Sequence, residues 1–351
     1  MVRATAVLLA AVLMGMGGSA AAAPPPGTDI PIPARAMAAA RPASDGARLV
    51  AVAQGPGRIL DLSVYSAAMD RLVPVEVLPA PDDSRPAPTL YLLNGVDGGA
   101  GTGLWSDGSN WLTKTDAERF FADKQVTVVI PIGGAGSFFA DWRADDPVLG
   151  RQRWSTFLTQ ELPPIMDTAF GGSGRNALAG LSMASSAVFR LALAAPGRYR
   201  AIGSYSGCVR TSDPAGQVMV DAIVASQRGD PLNLWGPPAD PAWTANDPYL
   251  HAEQLRGTAI YVSSGTGAPG PLDTLDGPGI GGSPGKLVDQ LVLGGILDAV
   301  TDVCTRQLRD RFRDLDIPAV FDLRSSGTHS WGYWQEDLHN SWPVFAAALD
   351  Q

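Results

Sequence analysis

Short apolar runs rich in β-branched or aromatic residues recur along the chain, at residues 58–65, 89–93, 126–130, 176–181, 201–205, 258–263 and 319–323, and predict strands. Several are apolar throughout, as expected of strands covered on both faces. Between them apolar positions repeat at helical spacing, around residues 117–122, 154–168, 183–194, 217–226, 286–313 and 332–349. Strands alternating with helices predict an α/β fold, a central and mostly parallel sheet with helices on both faces. The earliest strands, joined by short turns, are expected to pair antiparallel. Residues 265–285, "GTGAPGPLDTLDGPGIGGSPG", break the pattern without ending it, because helix and strand signals resume beyond them. They predict a long, mobile surface loop, of the kind that often borders a substrate site.

The N-terminus reads differently. Arg3 supplies a charge, residues 4–14 are apolar, and residues 19–23 are small, which together predict an export signal over 1–23. The run is too short to span a bilayer and no later run of about 18 apolar residues occurs, so no transmembrane segment is expected and the chain is expected to be secreted, free or held in the cell envelope. Residues 24–45, rich in Ala, Pro and Arg, predict a disordered lead-in, leaving a single domain over 46–351.

Composition narrows the chemistry. The 351 residues carry a net charge of −9, and no Lys/Arg stripe is interleaved with aromatics, so nucleic acid is excluded as a partner. Two cysteines, Cys208 and Cys304, in a chain bound for an oxidising compartment favour one long-range disulfide, with two buried thiols as the alternative. With only three histidines besides, no metal site and no cofactor are expected.

The stretch "LAGLSMASSAVF" places Ser182 between an apolar strand and a helix, with small residues two positions before and after it. That is the pattern of a nucleophile elbow with Ala184 in place of the last glycine; the competing reading is a helix-capping serine. A nucleophilic serine needs a base, and His251, His329 and His339 are the choices. His329 follows the last predicted strand, where an elbow chain carries its base, whereas His251 and His339 read as surface or packing residues. By chain order the acid is one of Asp273, Asp276, Asp289, Asp298 and Asp302, and spacing does not choose among them. An oxyanion hole needs two N–H groups, one from Met183 and one from the glycine-rich loop "LLNGVDGGAGTGLW".

At these residues the chain resembles the antigen 85 mycolyltransferases and their corynebacterial-type relatives, α/β-hydrolase-fold enzymes. The resemblance runs from about Leu90 to the C-terminus through "YLLNGV", "PIGGAGSFFADW", "WSTFLTQELPP", "GLSMASS", "LWGPPADPAWTANDP" and "GTHSWGYW". It implies Ser182 as nucleophile, His329 as base, Asp298 as acid with Asp302 as a weaker candidate, and Met183 and Val96 as oxyanion donors. It further implies that Asn94, Asp97, Ser330 and Trp331 line the sugar site, and that Cys208 and Cys304 pair. Mycobacterial members read "LLDGLR" where this chain has Asn94 and Asp97, so its sugar contacts must differ. The implied activity is transfer of a mycoloyl group between trehalose esters and cell-envelope glycans. A secreted esterase, and a binding homologue without activity, are the alternatives.

Overall fold

The structure is a computed structural model that describes residues 30–101 and 108–350; the expected signal, residues 24–29 of the lead-in and part of the glycine-rich loop lie outside them. Nine strands form one sheet: β1 (Arg48–Gln54), β2 (Leu60–Ser66), β3 (Arg71–Leu78), β4 (Ala87–Leu93), β5 (Thr127–Pro131), β6 (Gly172–Leu181), β7 (Tyr199–Tyr205), β8 (Ala259–Ser264) and β9 (Val320–Leu323), in spatial order β1-β2-β3-β5-β4-β6-β7-β8-β9. The pairings β1–β2, β2–β3 and β3–β5 are antiparallel, and every pairing from β5 through β4 to β9 is parallel. The expected architecture and the antiparallel start are both present.

The central strands are buried on both faces, and their alternation sorts the core into two layers. On β4, Tyr91 and Leu93 join the layer containing Phe189 and Phe312, while Leu90 and Leu92 join the layer containing Tyr205, Trp334 and Phe345. The helices of residues 154–170 and Met183–Ala194 and the long helix of residues 284–314 all fall where the periodicity predicts, as does the C-terminal helix Trp331–Leu349. Two of them contain a π-turn, at Phe157–Glu161 and Gln290–Gly294.

The lead-in is not disordered over its described length. Ile32–Ala39 is a helix, Ala36 is buried, and the Arg41 N–H donates to Thr168 Oγ1 at 2.9 Å, so the compact unit begins at Ile32 rather than near Gly46. Alanine is the best helix former and its small side chain permits close approach to β1 and to the helix Leu162–Phe170. The segment needed little apolar area to dock. Residues 265–283 likewise fold back on themselves, with Ile280 buried and the Gly282 N–H donating to the Leu275 carbonyl at 2.9 Å.

Candidate active site

Parallel strands deliver their C-terminal ends to one edge of the sheet, and the site is built there. β6 ends at Leu181, the helix starts at Met183, and Ser182 between them holds φ 54° and ψ −121°, a backbone state that a non-glycine residue adopts only under constraint. Its side chain makes no capping bond. Its N–H donates to the Tyr205 carbonyl at 2.9 Å, which fixes the turn to β7. The turn also explains the small residues: a Cβ on Gly180 would lie 2.7 Å from Ala184 Cβ, and one on Gly207 would lie 2.1 Å from Ser185 Cβ.

His329 Nε2 lies 2.8 Å from Ser182 Oγ, and His329 Nδ1 lies 2.8 Å from Asp298 Oδ1. Asp298 is fully buried; its other oxygen, Oδ2, accepts the Gly265 N–H at 3.1 Å and the Ser206 hydroxyl at 3.3 Å. These two donors hold the carboxylate with Oδ1 toward the imidazole. The histidine is itself held from two sides. Its N–H donates to the Gly294 carbonyl at 3.1 Å, and the Trp334 ring meets the imidazole edge to face at 4.9 Å.

The loop after β4 packs against the elbow. A Cβ on Gly95 would come within 2.9 Å of Leu181 Cδ1 and 3.5 Å of Ser182 Cβ, so a side chain there would have to displace the end of Leu181. The segment after β5 staples that loop: the Gly133 N–H donates to the Gly98 carbonyl at 2.8 Å and the Gly136 N–H to the Val96 carbonyl at 2.9 Å. Neither the Val96 nor the Met183 N–H has an acceptor among the described residues.

The "Putative esterase" family model matches residues 66–344. The chain is 31% identical over 297 residues to "Diacylglycerol acyltransferase/mycolyltransferase Ag85A" of Mycobacterium leprae, covering 80% of this chain and 81% of the relative, and 31% identical over 302 residues to the Mycobacterium tuberculosis protein of the same name, covering 82% and 80%. It therefore belongs to the antigen 85 branch of the esterase family. Among solved structures, Mycobacterium tuberculosis MPT51 superposes with TM-score 0.65 at 26% identity over 85% of this chain and 100% of that one. An S-formylglutathione hydrolase from Agrobacterium tumefaciens, at TM-score 0.58 and 17% identity over 86% and 99% of the two chains, shares the α/β-hydrolase fold.

The remaining expected residues of this antigen 85 homologue divide. Trp331 stands beside the site, edge-on to Trp111 at 5.6 Å and Trp334 at 5.2 Å, and Ser330 begins the C-terminal helix with its side chain unused for capping. Asn94 is fully buried, with Nδ2 at 3.5 Å from the carbonyls of Gly98 and Pro131 and Oδ1 without a partner among the described residues. Asp97 is nearly as buried, and its Oδ1 accepts the Gly99 N–H at 2.9 Å. His339 stacks on Phe120 at 4.1 Å and bonds Asp116, and His251 bonds the Thr244 carbonyl, so neither joins Ser182. Asp302 pairs with Arg306 at 2.8 Å, and Asp276 and Asp289 are exposed. Cys208 and Cys304 form the disulfide.

Asp273 has a role that the sequence hid. Its carboxylate accepts from Thr328 Oγ1 at 2.5 Å, Tyr333 OH at 2.8 Å, Gln290 Nε2 at 2.7 Å and the Gly270 N–H at 2.7 Å. It therefore ties the 265–283 segment to the residue before His329 and to two helices. Its chain position made it a candidate acid, and only the fold separates the two tasks. Behind the same loop, buried Asp337 pairs with Arg324; burial pushes this carboxyl up to about 7 although the guanidinium pulls it down.

Proposed function

We propose that the protein is an exported acyltransferase that moves a long acyl group, a mycoloyl group in the first instance, from a trehalose ester to a sugar hydroxyl of the cell envelope through an acyl-enzyme on Ser182. The observation that carries this reading is the unbroken chain Ser182–His329–Asp298 at the strand ends of an antigen 85 relative. The names of those relatives supply the reaction class, and the residues of this chain supply the steps.

Asp298 accepts the Nδ1–H, which leaves the Nε2 lone pair facing the Ser182 hydroxyl. Ser182 Oγ attacks the ester carbonyl as its proton passes to Nε2, and the oxyanion is received by the N–H groups of Val96 and Met183. The intermediate collapses, the C–O bond to the donor sugar breaks, and the imidazolium returns its proton to that sugar oxygen. An acceptor hydroxyl then gives its proton to Nε2 and attacks the acyl-enzyme carbonyl; the acyl–Oγ bond breaks and the imidazolium returns the proton to Ser182 Oγ. Trp331, in the aromatic cluster at the entrance, is suited to stack on a sugar face; Ser330 borders the same place.

The test is incubation of the mature protein with trehalose monomycolate, with products read by mass spectrometry beside Ser182→Ala. Trehalose dimycolate formed by the wild type alone is the expected result. Free mycolic acid as sole product would assign the chain to hydrolysis, and a substrate untouched by wild type would remove the acyltransferase reading.

A further inference from the structure

Arg190 is a cation buried in an apolar stretch. It lies on the helix Met183–Ala194, about two turns beyond Ser182, between Phe189 and Leu191, and is 7% exposed. Burial pulls its guanidinium down to about 10, while Asp141 nearby pulls it back up. A methionine there would bury a similar stem without desolvating a charge. Among the described residues its one hydrogen bond runs from Nη2 to the Phe138 carbonyl at 2.6 Å.

That acceptor lies in a turn that has to be held. Gly133, Gly134, Gly136, Phe138 and Phe139 all have positive φ, and the last two, at 52° and 49°, are consecutive residues with side chains in the left-handed region. Side chains crowd the backbone in that region, so such a pair persists only where its surroundings fix it. Ser137 fixes it from within: its Oγ donates to the Gly134 carbonyl at 2.6 Å and accepts the Phe139 N–H at 3.0 Å. The Ser137 carbonyl accepts the Trp142 Nε1–H at 3.0 Å. Arg190 fixes it from the nucleophile's helix.

The same turn holds the loop after β4, because the Gly133 and Gly136 N–H groups donate to the Gly98 and Val96 carbonyls. A path of hydrogen bonds and short backbone therefore joins the helix that starts at Met183, through Arg190, Phe138 and Gly136, to Val96. Its two ends carry the N–H groups that an oxyanion would need. Packing of Gly95 against Leu181 brings those ends together, but apolar contact has no direction, whereas a hydrogen bond does.

We infer that Arg190 is a positioning residue for the oxyanion hole, tying the Val96 loop to the nucleophile's helix through the Phe138 carbonyl so that the Val96 and Met183 N–H groups aim at one oxygen. The inference rests on the acyl-enzyme reading above, not on the identity of the acyl group or of its acceptor. Arg190→Met, Arg190→Lys and Val188→Ala are compared with wild type on a soluble short-chain nitrophenyl ester and with a short alkyl trifluoromethyl ketone. Ser182 Oγ adds to the ketone carbonyl, its proton passes to His329 Nε2, and the hemiketal oxyanion occupies the hole, so the inhibition constant reads the hole without turnover. Sites are counted by fluorophosphonate labelling, which corrects for any unfolded fraction. Per site, Arg190→Met loses about 10- to 100-fold in kcat with KM within about twofold, and its inhibition constant for the ketone rises by a similar factor. Arg190→Lys keeps the charge and a donor on a shorter stem and loses about three- to tenfold in both, which carries the test if Arg190→Met fails to fold. Val188→Ala, a core truncation on the same helix, melts lower but keeps both quantities within about twofold per site. Arg190 variants unchanged in both quantities, a loss in kcat that ketone binding does not follow, or an equal loss in Val188→Ala overturns the proposal. A wild type that neither turns over the ester nor takes the fluorophosphonate defeats the acyl-enzyme reading and this one with it; a reactive wild type with indifferent Arg190 variants defeats this one alone.

Discussion

Five aspartates stand in the interval where an elbow chain keeps its acid, and what separates them is their hydrogen-bond partners. Asp298 alone meets His329; Asp273 is saturated by four other donors and Asp302 is engaged by Arg306. Asp298→Asn preserves volume but puts an amide against Nδ1, favouring the tautomer whose Nε2 carries a proton and cannot take one from Ser182. The expected loss in kcat on a soluble ester is about 10³- to 10⁴-fold with the fold retained. Asp302→Asn, on the same helix, changes it by less than about threefold. Equal losses in both variants would show that the helix, not the acid, had been damaged. At this scale the meeting of Ser182 and His329 was legible, because an elbow is a local pattern and its histidine has a fixed place in chain order. That Asp298 is the aspartate against His329 was legible only through family resemblance. That Asn94 is buried was not legible, because a family position that touches sugar does not reveal how its occupant packs.

At the scale of elements, periodicity located seven of the nine strands and the long helices, and missed β1 and β3 in the antiparallel part of the sheet and the helix of the lead-in. β3 reads "RLVPVEVL", and the proline at Pro74 argues against a strand; it stands just past the Val75–Pro131 rung that ends the β3–β5 pairing, where its missing N–H interrupts no rung and its carbonyl accepts the Ile132 N–H at 2.9 Å. β1, "RLVAVAQ", is apolar from Leu49 to Ala53 yet largely exposed, so its composition did not reveal its place at the sheet's edge. The π-turn at Phe157–Glu161 was equally silent, and it brings Glu161 inside, where its carboxylate accepts the Ser66 hydroxyl at 2.5 Å and the Ala68 N–H at 2.7 Å. Burial first, and Asp45 nearby, push this carboxyl up to about 7 against those two bonds. Because the folded value lies above the ordinary one, the folded state holds the proton more tightly. Its contribution to stability is fully present below about pH 4 and is lost as pH rises through about 7. Glu161→Gln mimics the protonated form, so denaturant midpoints should match wild type near pH 5 and exceed it near pH 8. Parallel pH profiles for the two proteins would remove this account.

For the whole molecule, the disulfide joins the two halves of the site. Cys208 follows β7 next to Gly207, which underlies the elbow, and Cys304 lies on the helix of Asp298, 96 positions further along the sequence. Closing a loop of that length restricts the unfolded chain by about 4–5 kcal/mol. The folded arrangement has other supports: the Gly265 N–H on Asp298, the Gly294 carbonyl on the His329 N–H, and Ser264 Oγ at 3.1 Å from Thr301 Oγ1. The cross-link therefore acts chiefly on the unfolded state, and stability and reactivity should separate when it is removed. Cys208→Ser/Cys304→Ser is expected to melt about 5–15 °C lower, while fluorophosphonate labelling well below the melting range stays within about twofold of wild type. A variant that melts with wild type would show that the bridge contributes nothing to stability. One that loses labelling at low temperature would show instead that the bridge positions the acid helix in the native state, and that the hydrogen bonds around Asp298 are too few to hold the triad on their own.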